Sequence, residues 1–255
     1  MSADLAASEI NRLIPAEIKH DPFYRAICKL ARGADVKTVL EIGSSAGEGS
    51  TEAFVKGLRQ NPNGPLLFCM EVSRPRFTAL CRRYAKDPFV RCYNVSSVAV
   101  DEFPDRDEVA GFYRGTRTNL NAFPLERVLG WLDQDIEYVR ESGVAGGGID
   151  LIKRENGIDC FDVVLIDGSE FTGKIELEKV YGAKYLLLDD INTYKNYDNF
   201  RRLSADPAYC LLANSYSVRN GFAIFRKAGC PGRRAEPSAN LVERWLGSFK
   251  SWWAS

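Results

Sequence analysis

The sequence predicts an α/β domain with a doubly wound, mostly parallel sheet that ends in a C-terminal antiparallel hairpin. Three observations carry that expectation. Apolar runs alternate with helical patterns from residue 38 to residue 94 in the order β-α-β-α-β, the first run ends in a glycine-rich turn, and later runs end in acidic residues. With 255 residues, 45% of them hydrophobic, the chain can bury a full core. It is read as one domain, with N-terminal helices over 1–35, an insertion over 97–157 and a tail over 229–255.

Residues 4–32 place Leu5, Ile10, Leu13 and Ile14, then Phe23, Ile27 and Leu30, at helical spacing, which predicts two helices broken near Pro22. The first strand is Thr38 to Ile42, followed by a helix from about Gly49 to Leu58 and the turn Asn61-Pro62-Asn63-Gly64. A second strand, Leu66 to Met70, ends at Glu71; a helix through Arg76 to Tyr84 leads to a third strand, Phe89 to Asn94. The insertion carries an amphipathic helical pattern from Leu125 to Val139 and is read as a lid or a dimer element. The sheet resumes with Phe161 to Asp167, a helix over Ile175 to Tyr181, and Tyr185 to Asp190. Two last strands, about Tyr209 to Ala213 and Gly221 to Phe225, flank Asn220-Gly221 and suit a hairpin. The tail has Leu241, Trp245, Phe249 and Trp252 spaced for one helical face, which favours packing on the chain's own core or a second copy over a membrane surface.

Composition narrows the function classes. Lys plus Arg equals Asp plus Glu at 34 each, so no global basic field calls for nucleic acid, and the expected substrate is small or neutral. No apolar run approaches the length of a membrane span, and the start lacks a basic segment followed by an apolar one, so the expected compartment is the cytoplasm. Seven cysteines without a C-x-x-C pair suit reduced, buried thiols better than a disulfide frame or a zinc site. The single histidine, His20, beside Pro22, reads as a surface or turn residue; a serine-histidine triad is nearly excluded.

The chemistry lies at the strand ends. Glu41-x-Gly43-x-x-x-Gly47-x-Gly49 departs from the G-x-G-x-x-G spacing that cradles a pyrophosphate; a carboxylate so early suits a cationic or hydroxylated ligand. Glu71 is placed to accept hydrogen bonds from the two hydroxyls of a ribose, which suits an adenosine cofactor, NAD included. Asn94 and Ser96 follow the third strand and read either as contacts to an adenine edge or as turn residues. Asp167 and the pair Asp189-Asp190 end neighbouring strands. Such carboxylates repel one another, and the simplest neutraliser is a hard divalent cation; the alternative is a solvated strand end with Asn192 as a cap.

The glycine turn resembles the first motif of class I S-adenosylmethionine-dependent methyltransferases, which have a Rossmann-like fold. The segments Leu165-Ile166-Asp167-Gly168-Ser169-Glu170 and Leu187-Leu188-Asp189-Asp190-Ile191-Asn192 resemble the metal-bearing strand ends of cation-dependent O-methyltransferases, of the catechol type and the macrocin-type sugar enzymes. The resemblance implies S-adenosylmethionine held by Glu41, Gly43, Ser44, Gly47, Glu71, Asn94, Ser96 and Asp167, and Mg²⁺ or another hard cation on Asp167, Asp189 and Asp190. It implies Asp167 and Glu170 as catalytic groups, although those families place a lysine or histidine base where this chain has Glu170. The polar residues Lys195, Asn196, Tyr197 and Asn199, with Tyr113, Arg114, Arg117 and Asn119 of the insertion, suit the hydroxyls of a sugar, a glycan or another polar small molecule. Rival readings are a metal-independent or nitrogen-directed enzyme of the same fold, a nucleotide-binding interaction module, and an NAD-dependent oxidoreductase, disfavoured by the glycine spacing. The insertion or the tail would serve a homo-oligomer.

Overall fold

The computed structural model describes residues 18–229. The first N-terminal helix and the tryptophan-rich tail expected above lie outside them. The chain runs α1 (Pro22–Ala31), β1 (Thr38–Ile42), α2 (Ser50–Leu58), β2 (Leu66–Met70), α3 (Arg74–Arg83) and β3 (Val90–Tyr93). Then come α4 (Arg106–Gly115), α5 (Leu125–Ser142), α6 (Gly148–Asn156), β4 (Val163–Ile166), α7 (Gly173–Val180), β5 (Tyr185–Asp189), α8 (Tyr197–Ala205), β6 (Tyr209–Ser215) and β7 (Phe222–Lys227).

One sheet has the order β3-β2-β1-β4-β5-β7-β6. The strands β1 to β5 pair in parallel, and β7 runs antiparallel to both β5 and β6, so the expected C-terminal hairpin is present. Chain order reverses between β1 and β4, which opens a crevice at the carboxyl ends of those strands. Among the described residues, no helix is long and apolar enough to cross a membrane.

Alternation along each strand sorts the core into two layers. Val39, Leu67, Leu165 and Leu187 face one way and meet Phe23 and Ile27 of α1, Phe54 and Leu58 of α2, and Leu80 of α3. Leu40, Phe68, Val164 and Leu186 face the other way, against Ile149 and Ile152 of α6, Leu177 of α7 and Leu203 of α8. Both faces are covered, as a parallel sheet requires.

The segment read as an insertion divides in two. Its end, α6, is the crossover helix that delivers the chain from β3 to β4. The rest forms a cap with a core of its own, in which Val109, Val128, Leu129 and Leu132 pack around Leu120 and Phe171. The helices α4, α6 and α8 lack a separate expectation above, because their apolar positions are few and polar residues surround them. Of the six described cysteines all are free, and Cys160 and Cys210 are exposed, against the expectation of burial.

Register places the strand ends in one row. Ile42 pairs with Met70 on one side and Ile166 on the other, and Ile166 with Leu188, so Glu71, Gly43, Asp167 and Asp189 follow side by side. Gly43 has φ +89°, and a Cβ there would lie 2.1 Å from the Asp167 carbonyl oxygen. Only glycine lets these two strand ends close up. Gly43→Ala is expected to cost about 3 kcal/mol or more of stability, measured by urea unfolding; an unchanged midpoint would refute the close approach.

Candidate active site

A cleft of about 280 Å³ opens over the row of strand ends, with Gly43, Glu71, Ser96 and Asp167 in its wall. Glu71 is buried and held at both oxygens: Ser45 N donates to Oε2 at 2.8 Å and Ser73 N to Oε1 at 2.7 Å. Each oxygen retains a lone pair for a ligand hydroxyl. Burial raises the Glu71 carboxyl above its usual range, while the two amides and Arg76 oppose that rise. Val95, Phe103 and Val139 give the cleft apolar walls, suited to a flat ring.

Four expected cofactor contacts have internal partners instead. Glu41 shares the sheet face of Val39, not that of the cleft, and is fully buried under α2. Its Oε2 accepts from Ser44 Oγ and Thr51 Oγ1, both at 2.7 Å, and its Oε1 has no hydrogen-bond partner. Burial raises its pKa, the hydroxyl donors opposing. Ser44 is thereby turned inward with it. Gly47 is a packing glycine, because a Cβ would stand 2.6 Å from the Tyr84 ring. Asn94 donates its amide to the carbonyls of Glu71 and Val72 at 2.8 and 2.9 Å, so it positions the acid-bearing turn.

Asp167, Asp189 and Asp190 converge as expected, with ligand atoms all within 4.8 Å of one another. Their charge is met by protein cations. Lys195 Nζ donates to Asp167 Oδ1 at 2.9 Å and Asp190 Oδ2 at 2.7 Å, and Arg219 donates to Asp189 Oδ1 at 2.5 Å and also pairs with Asp21. Burial alone would lower the Lys195 pKa, but Asp167, Asp190, Glu170 and Asp189 outweigh it and hold the pKa well above the usual lysine value. Asp190 has φ +55°, a left-handed conformation that a packed loop must sustain.

The three carboxylates offer oxygen ligands of the kind a hard divalent ion takes, but an ammonium stands between Asp167 and Asp190 and a guanidinium holds Asp189. Asp190 Oδ1 is buried without a hydrogen-bond partner. Glu170 lies outside the cleft wall. Its Oε1 accepts from Lys195 N at 3.1 Å, and burial pushes its pKa up to about 7, with Lys195 and Thr193 opposing. The neighbouring polar residues are also internal: Asn196 donates to the Ile166 and Asp189 carbonyls at 3.1 and 2.6 Å, and Asn199 to that of Gly173 at 2.8 Å.

The cap supplies what motif reasoning missed. Asp135 and Tyr138 of α5 line the cleft, and Ser169 Oγ donates to Asp135 Oδ2 at 2.5 Å. Burial raises the Asp135 pKa, against the Ser169 hydrogen bond and the charge of Lys195. The available signal was an aspartate on a helix already read as amphipathic. Arg117, Asn119 and Asn192 line a second, open depression of about 430 Å³, where Asn192 donates to Asn119 Oδ1 at 2.8 Å. Of the expected insertion contacts, Tyr113 instead donates to the Phe123 carbonyl.

No protein-family model matches the sequence, and no curated protein does. Solved structures match in fold. An O-methyltransferase from Bacillus cereus in complex with SAH aligns with TM-score 0.53 at 12% identity, covering 89% of this chain and 91% of that one. The O-methyltransferase TomG from Streptomyces achromogenes in complex with SAM aligns with TM-score 0.52 at 15% identity, covering 90% and 91%. A methyltransferase from Geobacter sulfurreducens aligns with TM-score 0.51 at 13% identity, covering 88% of each chain. The chain has the Rossmann-like fold that these methyltransferases share.

Proposed function

We propose that the chain is an S-adenosylmethionine-dependent methyltransferase acting on a hydroxyl of a sugar, a glycan or another polar small molecule. The observation that supports it most is Glu71, fixed at both oxygens by backbone amides and facing a cleft at the point where strand order reverses. Structures of the same fold have SAH or SAM bound.

Bound there, S-adenosylmethionine supplies an electrophilic methyl group on sulfur. Glu71 would accept from the ribose hydroxyls, the glycine turn brings Ser45 to the same edge, and apolar side chains would limit water around the adenosine. Asp167 reaches the cleft with its charge already matched by Lys195. Geometry favours Asp135 over Glu170 as proton acceptor for the attacking hydroxyl, because Asp135 lines the cleft beside Ser169. Glu170 then positions the Lys195 loop. The polar depression at Arg117, Asn119 and Asn192 suits a polyhydroxylated acceptor.

Glu71→Gln is expected to weaken S-adenosylmethionine binding about 10- to 100-fold by calorimetric titration; unchanged affinity would remove Glu71 from the site. Labelled methyl transfer into fractionated glycans and small metabolites tests the reaction. No transfer into any fraction, together with binding of a macromolecule, would favour an interaction module.

The base is read from a pH profile. A raised carboxyl pKa keeps the acid protonated further up the scale, so turnover should rise with pH through a limb above the ordinary aspartate range, about 4. Asp135→Asn should abolish that limb and lower turnover about 100-fold. A limb near 7 that disappears instead in Glu170→Gln would assign the proton to Glu170, whose pKa is pushed up to about 7.

A further inference from the structure

The resemblance and the geometry also part at the space between Asp167 and Asp190. The Lys195 ammonium occupies it, and the residue is 7% exposed, among the least accessible cations of the described residues. A surface lysine that swings between partners would be weak evidence, but this one is fixed at its backbone. Lys195 N donates to Glu170 Oε1, and the Lys195 carbonyl lies so close to Gly173 that a Cβ there would come within 2.0 Å of it. The adjacent Asn196, fully buried, ties the same loop to the ends of β4 and β5. The loop therefore delivers a positive charge to the point where three carboxylates meet. Arg219 brings a second charge from the turn before β7.

We infer that Lys195 is the resident cation of this centre, holding the charge-compensating place of a divalent ion, so that turnover needs no metal. This rests on the methyl-transfer reading above. Lys195 acts as a positioning residue: it holds Asp167 and Asp190 together at the strand ends and offsets their charge beside the cleft. An oxygen-ligated ion entering the site must first evict a paired, buried ammonium, which is costly because the lysine would lose both partners.

The test is Mn²⁺ binding to the full chain, followed by electron paramagnetic resonance, beside turnover in chelator and thermal melting. Wild type is expected to take up no stoichiometric Mn²⁺ and to turn over equally in chelator and in Mg²⁺. Lys195→Ala uncovers the carboxylates, so it should gain at least about tenfold in Mn²⁺ affinity. Its melting temperature should fall and be restored by Mg²⁺. A purely structural lysine would not yield a gained ion site. Should Lys195→Ala fail to fold, Lys195→Met, close in volume and without charge, gives the same readout. Stoichiometric Mn²⁺ on wild type, with turnover lost in chelator, would overturn the inference. Calorimetric binding of S-adenosylmethionine on the same samples separates the readings: absent binding sinks methyl transfer, whereas metal uptake by wild type sinks only the role of Lys195.

Discussion

Adjacent parallel strands of similar length must end together, and whatever follows their last residues is forced into company. Here that places Asp167 beside Asp189 and Asp190, three anions in a partly dehydrated space. The cost of leaving such groups unpaired is several kcal/mol each, large against the net stability of a domain. The surrounding loops can be understood as answers to it. One loop after β5 turns back with Lys195, the turn before β7 reaches over with Arg219, and Asn196 stitches the two strand ends beneath them.

A second consequence is that acidity at the site is graded by surroundings. Glu41 is sealed under α2 with hydroxyl partners, Glu71 is held by amides at the cleft wall, and Asp135 hangs from the cap over the same opening. Burial raises all three carboxyls, yet only two of them meet the cleft. Distance from ordinary titration is thus a poor guide to chemistry unless the side chain's direction is known.

Much of the sheet was legible because its evidence is local. The strands showed as apolar runs, their order followed from β-α-β alternation, and Glu71 and Asp167 could be placed at strand ends by counting. Parity within a strand puts Glu41 on the face of Val39, but it puts Glu71 and Asp167 there too, so it could not have told the sealed carboxylate from the two that meet the cleft beyond the strand ends. What sequence could not supply was convergence across long separations. Lys195 and Asp167 are 28 residues apart, Arg219 and Asp189 30. Asp135 reaches the cleft only because the cap folds down on Phe171, a contact with no periodic signature.

The cap's separate core matters beyond stability. Because Val109, Val128, Leu129 and Leu132 are packed among themselves and against Phe171, the cap can change its cleft-facing residues without disturbing either layer of the sheet. One end of the cleft is written in the sheet, where Gly43 and Glu71 are tied into strand register. The other is written in α5, which brings Asp135, Tyr138 and Val139 to the opening. Such a division is mechanical: a side chain added at Gly43 would collide with the neighbouring strand end, whereas Asp135 and Tyr138 meet the same cleft from a helix outside both layers of the sheet.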